Sequence, residues 1–344
     1  MLEKNIAQRF LKDFRLLYPM LSIRKEEQVR NRIADLMLEI ETPGKKNLKR
    51  IVCEIKAEGF PKYLRLAGKQ LKTALENDKS LYPAVVAPYI SEEGRKICRE
   101  ENIGFFDLSG NCLLEFNGTY IEVKGNPNRF PTERKIKTIF KGKSSRILRV
   151  LLLNPDRQWT LRDLAKEASL SVGQVFKVIT RLEELDLVER RDQGGVRLAK
   201  PDELLNSWRN EYSYRENESF NYYSLNSVLQ IEQAIADECR RRKIRYAFTL
   251  FSGSSRISPF VRYNQAMAYV DDPVEVAEKL GLKKVESGSN VTLLKPYDEG
   301  VYYGSQSKDQ IQIVSNIQLY LDLYDYKGRG EEQAEFLRSQ VIRF

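Results

Sequence analysis

The chain has 344 residues, enough for two or three domains with hydrophobic cores of their own. Its 57 Lys and Arg residues outnumber its 48 Asp and Glu residues, and the formal net charge of +9 favours polyanionic partners. Since no histidine is present, Ser-His-Asp and Cys-His catalysis, histidine general bases and histidine-ligated zinc are excluded.

The four cysteines form no Cys-x-x-Cys pair, which argues against a structural zinc site and suits a reducing compartment. The N-terminal segment has no apolar signal core, and no apolar run approaches the length of a membrane span. We therefore expect a cytoplasmic protein without membrane contact.

The first elements are predicted to be two helices and a hairpin. Apolar residues at helical spacing predict a helix over 4–17, and a charged helix is expected over 24–32. Segments 33–41 and 48–56 flank the turn-forming stretch 42–47, which predicts a β-hairpin with arms of near-equal length.

The register of this hairpin brings charged residues together. With Glu41 paired to Leu48, Asp35 lies opposite Glu54, and Lys56 lies on the same face. Two facing carboxylates repel each other unless a cation lies between them. A divalent metal ion and the Lys56 ammonium are both candidates for that cation.

An aspartate followed by a glutamate and a lysine two residues apart (Asp35, Glu54, Lys56) resembles the motif of the PD-(D/E)XK nucleases. The resemblance implies that the two carboxylates hold Mg²⁺ and that the lysine positions the attacking water and stabilises charge on the phosphate. Glu27 is a further candidate ligand, and Gln70 suits the same fold. A hairpin whose charged face is only solvated is the alternative.

Alternating elements follow the hairpin. The sequence predicts helices at 63–76 and 92–101 and strands at 82–87 and 104–108. This alternation favours a restriction-endonuclease-like α/β domain over residues 1–130.

Residues 160–197 carry the pattern of a winged helix-turn-helix. Thr160 can cap a first helix and Ser171 a second one, and a hairpin is expected over 187–198. The second helix has one apolar stripe, formed by Val175, Val178, Ile179, Leu182 and Leu185. The basic linker and this module are assigned to residues 131–203.

Such a module docks its second helix in the major groove of DNA. Three residues of that helix are expected to contact base edges: Gln174, Lys177 and Arg181. Phosphates are expected to contact the hairpin residues Arg190, Arg191 and Arg197 and the basic run from 134 to 149. A protein-interaction role for the module, and a solvated linker for the run, are the alternatives.

The remaining residues, 204–344, predict a further α/β domain. Gly253-Ser254 and the acidic pair Asp271-Asp272 at a strand end suggest a nucleotidyltransferase-like core. The metal-binding form of that motif needs two carboxylates on one strand face, whereas adjacent residues point to opposite faces. Nucleotidyl transfer is therefore not expected, and one aspartate can instead cap the helix that follows.

Several segments resemble the AbiEi family of antitoxin-type transcriptional regulators of bacterial type IV toxin–antitoxin systems. They are residues 82–90, 106–111, the winged helix, 296–303, 318–323 and 328–337. The resemblance implies a repressor that binds operator DNA through a winged helix. Classical members carry that module at the N-terminus, whereas here it is central. This difference argues against antitoxin activity more than against DNA binding.

Together these observations predict a multidomain α/β protein that acts on double-stranded DNA as a transcriptional regulator. The first alternative is a Mg²⁺-dependent nuclease that uses Asp35, Glu54 and Lys56 and is targeted by the winged helix. The second is an interaction protein whose C-terminal domain docks a toxin or another partner.

Overall fold

The computed structural model describes residues 2–28, 34–41, 48–76, 78, 80–116, 118–130, 138–191 and 195–344. These residues form a mixed α/β structure with two seven-stranded sheets and one two-stranded sheet. The chain divides into two compact units, the first Met1–Arg134 with Glu183–Asp186, the second Lys135–Leu182 with Leu187–Phe344. The expected division into three domains stays a prediction. No helix of the described ranges is long and apolar enough to cross a membrane.

The described residues of the first unit form a seven-stranded sheet covered by three helices. Its strands, adjacent in chain order, are β1 Ser22–Gln28, β2 Leu36–Glu41, β3 Leu48–Ile55, β4 Leu81–Ala87, β5 Gly104–Asp107, β6 Cys112–Phe116 and β7 Thr119–Val123. Its helices are α1 Glu3–Leu17, α2 Pro61–Ala74 and α3 Glu92–Glu100. Strands β3, β4 and β5 are parallel because α2 and α3 serve as their crossover connections, and the other pairs are antiparallel.

Each face of this sheet has its own hydrophobic core. On one face, α1 buries Ile6, Phe10 and Phe14, which recur every four residues and therefore form one stripe. On the other face, α2 buries Leu64 and Leu71 in the same way. The helices predicted at 4–17, 63–76 and 92–101 and the strands at 82–87 and 104–108 are thus confirmed, with small shifts at their ends.

The helix predicted over 24–32 is wrong for its described part. Residues 22–28 form β1, which pairs with β2 so that Glu26 lies opposite Leu38. Backbone pairing with a neighbouring strand outweighs the local helix preference of these charged residues. Their exposed charges suit the edge of a sheet, where they oppose pairing with another chain. Residues 29–32 lie outside the described residues.

The second unit begins with short helices and a hairpin. After turns at Thr138–Phe140 and Gly142–Ser144 come α4 Ser145–Leu153, α5 Leu161–Glu167, α6 Val172–Glu184, the strands β8 Val188–Arg191 and β9 Gly195–Leu198, and α7 Pro201–Arg209. The predicted hairpin strands are confirmed, and residues 192–194 of its turn lie outside the described residues. Trp159 and Val196 exchange two backbone hydrogen bonds of 2.8 and 2.7 Å, which join the hairpin to the start of α5.

The rest of the second unit is a seven-stranded sheet in the order β13-β10-β14-β12-β11-β16-β15. Its strands are β10 Glu218–Tyr223, β11 Tyr246–Phe248, β12 Ala266–Val270, β13 Lys283–Lys284, β14 Val291–Lys295, β15 Gln306–Lys308 and β16 Ile311–Ile313. Its helices are α8 Val228–Arg242, α9 Leu250–Ile257, α10 Pro273–Lys279, α11 Asn316–Tyr324 and α12 Gly330–Leu337. Two pairs are parallel, β11 with β16 and β12 with β14.

Candidate nucleic-acid interface and candidate metal site

Helix α6 presents one buried face and one exposed face. Val175, Val178, Ile179 and Leu182 are buried, as the apolar stripe predicts, whereas Leu185 follows the end of the helix and is half-buried. The caps predicted for both helices are confirmed. The Thr160 side chain accepts from the Asp163 N–H at 3.1 Å, and the Ser171 hydroxyl accepts from the Gln174 N–H at 3.3 Å.

Gln174 contributes to the cap of its own helix. Its Oε1 accepts hydrogen bonds of 3.1 Å from both the Ser171 N–H and the Ser171 hydroxyl. Ser171 and Gln174 therefore form a capping box, in which residues three positions apart satisfy each other's polar groups. The Gln174 amide oxygen, which was predicted to meet a base edge, therefore already accepts two hydrogen bonds from Ser171.

The other predicted contact residues differ in exposure. Lys177 is exposed on α6, and Arg181 is half-buried further along the same helix. Arg190 is exposed on β8, and Arg197 forms a 3.1 Å ion pair with Asp156. The side chain of Arg191 lies outside the described residues.

Two apolar residues of α6 complete the exposed face and were missed by the sequence analysis. Val172 is 45% exposed and Phe176 is 50% exposed, and the Arg190 guanidinium lies 6.0 Å from the Phe176 ring centre. The signal was present in the sequence, because helical spacing places Phe176 about 110° from the centre of the buried stripe.

The basic run from 134 to 149 is not one phosphate-binding surface, and this prediction is wrong for its last two arginines. Arg149 is fully buried, and its guanidinium donates to the Gln318 Oε1 at 2.6 and 3.0 Å. Arg146 forms a two-pronged pair with the buried Asp298, with Nε–Oδ1 and Nη2–Oδ2 distances of 2.8 and 2.7 Å. Both arginines therefore bind partners inside the second unit.

Of the other basic residues in the run, Lys141 pairs with Glu216 and Lys143 is exposed. Arg134, Lys135 and Lys137 lie outside the described residues.

The candidate metal site lies where the hairpin strands β2 and β3 meet the crossover to α2. The predicted register is confirmed from the pair Leu36–Cys53 to the pair Glu41–Leu48. Next to that ladder, the Asp35 N–H donates to the Cys53 carbonyl at 3.1 Å. The Asp35 carboxylate then accepts from the Ile55 N–H at 2.7 Å.

Glu54 and Lys56 form an ion pair of 2.8 Å, and each side chain is less than one-fifth exposed. The Lys56 N–H donates to the Val86 carbonyl of the neighbouring strand at 2.9 Å, which fixes the chain after β3. Glu54 and Lys56 thus lie on one short segment, whose backbone binds the Asp35 carboxylate and within which Lys56 binds Glu54. The ammonium already neutralises one of the two carboxylates.

The further candidate residues lie elsewhere in the first unit. Glu27 lies on the edge strand β1 and pairs with Lys25, and Gln70 is exposed on α2. Across the described ranges, no group of three or more His, Cys, Asp or Glu side chains is placed to hold a metal ion. Two carboxylates agree with Mg²⁺, which often uses only one or two protein carboxylates together with water and substrate phosphates.

The acidic pair of the C-terminal sheet has structural partners. Asp272 caps α10 by accepting from the Glu275 N–H at 3.0 Å, the role that the sequence allowed for it. Asp271 forms a 3.1 Å ion pair with Arg245. Each carboxylate thus has a contact unrelated to a metal.

Two solved structures show partial similarity to the chain. One is titled "crystal structure of a repair endonuclease from Pyrococcus abyssi", with a TM-score of 0.25, 19% identity, and coverage of 31% of this chain and 47% of that chain. The other is titled "Structure of EndoMS in apo form", with a TM-score of 0.24, 14% identity, and coverage of 31% and 46%. The chain spans about half the length of these structures.

No curated protein sequence matches the chain. Residues 197–343 match the family described as "Transcriptional regulator, AbiEi antitoxin, Type IV TA system". The match begins within β9, so helices α5 and α6 lie outside it. This segment, less than half of the chain, is therefore similar to a family of antitoxin-type transcriptional regulators.

Proposed function

We propose that the protein is a DNA-binding transcriptional regulator in which α5, α6 and the β8–β9 hairpin form a winged helix-turn-helix. The observation that carries the proposal is α6 itself. Its N-terminus is capped, and its buried residues Val175, Val178, Ile179 and Leu182 leave Lys177 on the exposed side. Two helices followed by a basic hairpin suit docking of the second helix in the major groove. The similarity of residues 197–343 to transcriptional regulators supports the same conclusion.

Phosphate contacts are assigned to the exposed cations beside this helix, Lys177 and Arg190. Arg197, whose guanidinium pairs with Asp156, is a further candidate for a phosphate contact. The restriction-endonuclease-like fold of the N-terminal region and the nucleotidyltransferase-like fold of the C-terminal region are part of this proposal. Docking of a toxin through the C-terminal region is an alternative to it.

Replacing Lys177 by alanine is expected to weaken DNA binding about five- to tenfold, because each lost phosphate contact removes counterion release. The measurement is fluorescence anisotropy with a duplex from upstream of the protein's own gene, repeated over a range of salt concentrations. The slope of log K against log salt should fall by about one in Lys177→Ala.

The matched control is Lys283→Ala, which removes the same charge from an exposed residue of β13 and should leave affinity and slope unchanged. Absence of binding to any duplex at low salt would overturn the proposal.

A second candidate function is Mg²⁺-dependent DNA cleavage in the first unit. It is favoured by the 2.8 Å ion pair between Glu54 and Lys56, because Ile55, which lies between them, donates its N–H to the Asp35 carboxylate. Asp35 and Glu54 would hold the ion, and the Lys56 ammonium would position the attacking water and stabilise the negative charge that develops on the phosphate.

For this candidate we expect plasmid cutting in Mg²⁺ or Mn²⁺ that Lys56→Ala abolishes. Lys69→Ala, at an exposed position of α2, is the matched control and should cut normally. A wild-type protein that cuts neither single- nor double-stranded DNA with either metal would exclude nuclease activity at this site.

A further inference from the structure

The exposed side of α6 carries an apolar surface that phosphate binding does not explain. Val172 and Phe176 lie one helical turn apart, so their side chains are neighbours, and about half of each is exposed. Gly173 lies between them in sequence, and a Cβ added there would meet nothing within 4 Å. We call Val172, Gly173, Phe176 and Lys177 the α6 face.

Two cations lie next to the Phe176 side chain of the α6 face. Lys177 follows Phe176 directly, and the Arg190 guanidinium lies 6.0 Å from the centre of the Phe176 ring. A ligand that complements this surface carries negative charge at its edges and an apolar group at its centre. Duplex DNA has both features, because phosphates border the major groove and thymine displays a methyl group within it.

The hydrogen bonds of the Gln174 side chain bear on which residues of α6 can recognise bases. Reading adenine requires the amide oxygen and the amide nitrogen of a glutamine to face the base together. The Gln174 Oε1 is instead bound by the N–H and the hydroxyl of Ser171, each at 3.1 Å. A capping box holds that amide against its own helix, so base discrimination falls to the neighbouring α6 face.

We infer that Phe176, together with Val172, reads thymine methyl groups in the major groove and makes recognition depend on thymine at one or two positions. This inference rests on the proposed DNA binding and specifies what the helix recognises. Lys177 and Arg190 then contact the flanking phosphates and hold the ring against the base edge.

The test replaces thymine by deoxyuridine, which removes the methyl group and keeps every hydrogen-bonding group. Binding sites are first selected from a random duplex library with the full-length protein. Each thymine of the selected site is then replaced in turn, and affinity is measured by fluorescence anisotropy. At the contacted positions, affinity should fall about fourfold per methyl group.

In Phe176→Ala, duplexes with thymine and with deoxyuridine should bind equally well. The matched control is Phe260→Ala, which removes a ring that is also 50% exposed and lies outside α6. Phe260→Ala should retain the difference between the two bases. Phe176→Leu, which keeps an apolar side chain, should retain part of it and guards against loss of folding in the alanine variant.

The outcomes separate this inference from the proposed function. Selected DNA that binds tightly but tolerates deoxyuridine at every position would overturn the thymine assignment and leave DNA binding intact. No enrichment of any duplex would overturn DNA binding itself. A wild-type dimer that becomes monomeric in Phe176→Ala, without any effect of deoxyuridine, would show that the α6 face binds protein instead and would also overturn the assignment.

Discussion

Replacing Arg256 by methionine is expected to lower the free energy of unfolding of the second unit by about 3–5 kcal/mol. Arg256 lies on α9, and its guanidinium forms a 2.7 Å ion pair with Glu232 of α8. The Glu232 side chain is fully buried, and its Oε1 has no hydrogen-bond partner within the described residues. Methionine preserves the bulk of the side chain but leaves a buried carboxylate without its cation.

Urea unfolding followed by tryptophan fluorescence measures this effect selectively. The chain has two tryptophans, Trp159 and Trp208, and both are buried in the second unit. The double variant Glu232→Gln/Arg256→Met should recover most of the loss, because no buried charge remains. Arg329→Met removes an arginine that is 57% exposed and should change stability by less than about 1 kcal/mol.

Two results would contradict this account of the buried pair. One is an Arg256→Met variant as stable as the Arg329→Met control. The other is a double variant no more stable than Arg256→Met, since that would place the cost in lost packing instead of the unpaired Glu232 charge.

The second large effect concerns the pH dependence of stability through Asp322. This aspartate is fully buried on α11, and burial raises its pKa from 3.8 to about 6. Hydrogen bonds from the side chains of Thr249, Tyr212, Gln318 and Tyr269 favour its charged form but only partly offset the loss of hydration.

Because the folded protein binds this proton more tightly than the unfolded chain, the Asp322 contribution to stability is fully present below about pH 4. It is lost as the pH rises through about 6, and the difference amounts to about 3 kcal/mol.

The prediction is measured as the difference in unfolding free energy between wild type and Asp322→Asn from pH 4 to pH 7. The asparagine variant lacks the titrating group, so wild type should lose about 2.5 kcal/mol relative to it across this range. Asp237→Asn, at a residue 55% exposed, is the control and should give a nearly constant difference. A constant difference for Asp322→Asn would show that Asp322 does not titrate in this window.

The candidate metal site was largely predictable at the level of register. The hairpin pairs as expected from Leu36–Cys53 to Glu41–Leu48, since two arms of near-equal length separated by only six residues allow few alignments. What the sequence did not contain was the detail next to the ladder, where the Asp35 carboxylate binds the Ile55 N–H. That contact depends on the path of the backbone, which alternation along a strand does not specify.

The candidate DNA interface was also predictable only in part from the sequence. The stripe from Val175 to Leu182 predicted which side of α6 is buried, because a helix repeats every 3.6 residues whatever its surroundings. Gln174 was predicted to contact a base edge. In the structure it forms a capping box with Ser171, which lies three residues before it. Phe176 is apolar and lies outside the buried stripe, so a search for polar and charged contact residues does not find it.

Local patterns in the sequence were enough to predict the elements that depend on near neighbours. These are the buried stripe of α6, the caps of α5 and α6, the alternation of helices and strands after the hairpin, and the hairpin register. Which basic residues are exposed depends instead on long-range packing. Arg146 and Arg149 bind Asp298 and Gln318, which lie about 150 and 170 residues further along the chain. A charged side chain can be buried only where a partner compensates it, and here that partner is distant in sequence. A run of basic residues therefore does not show which of them are exposed.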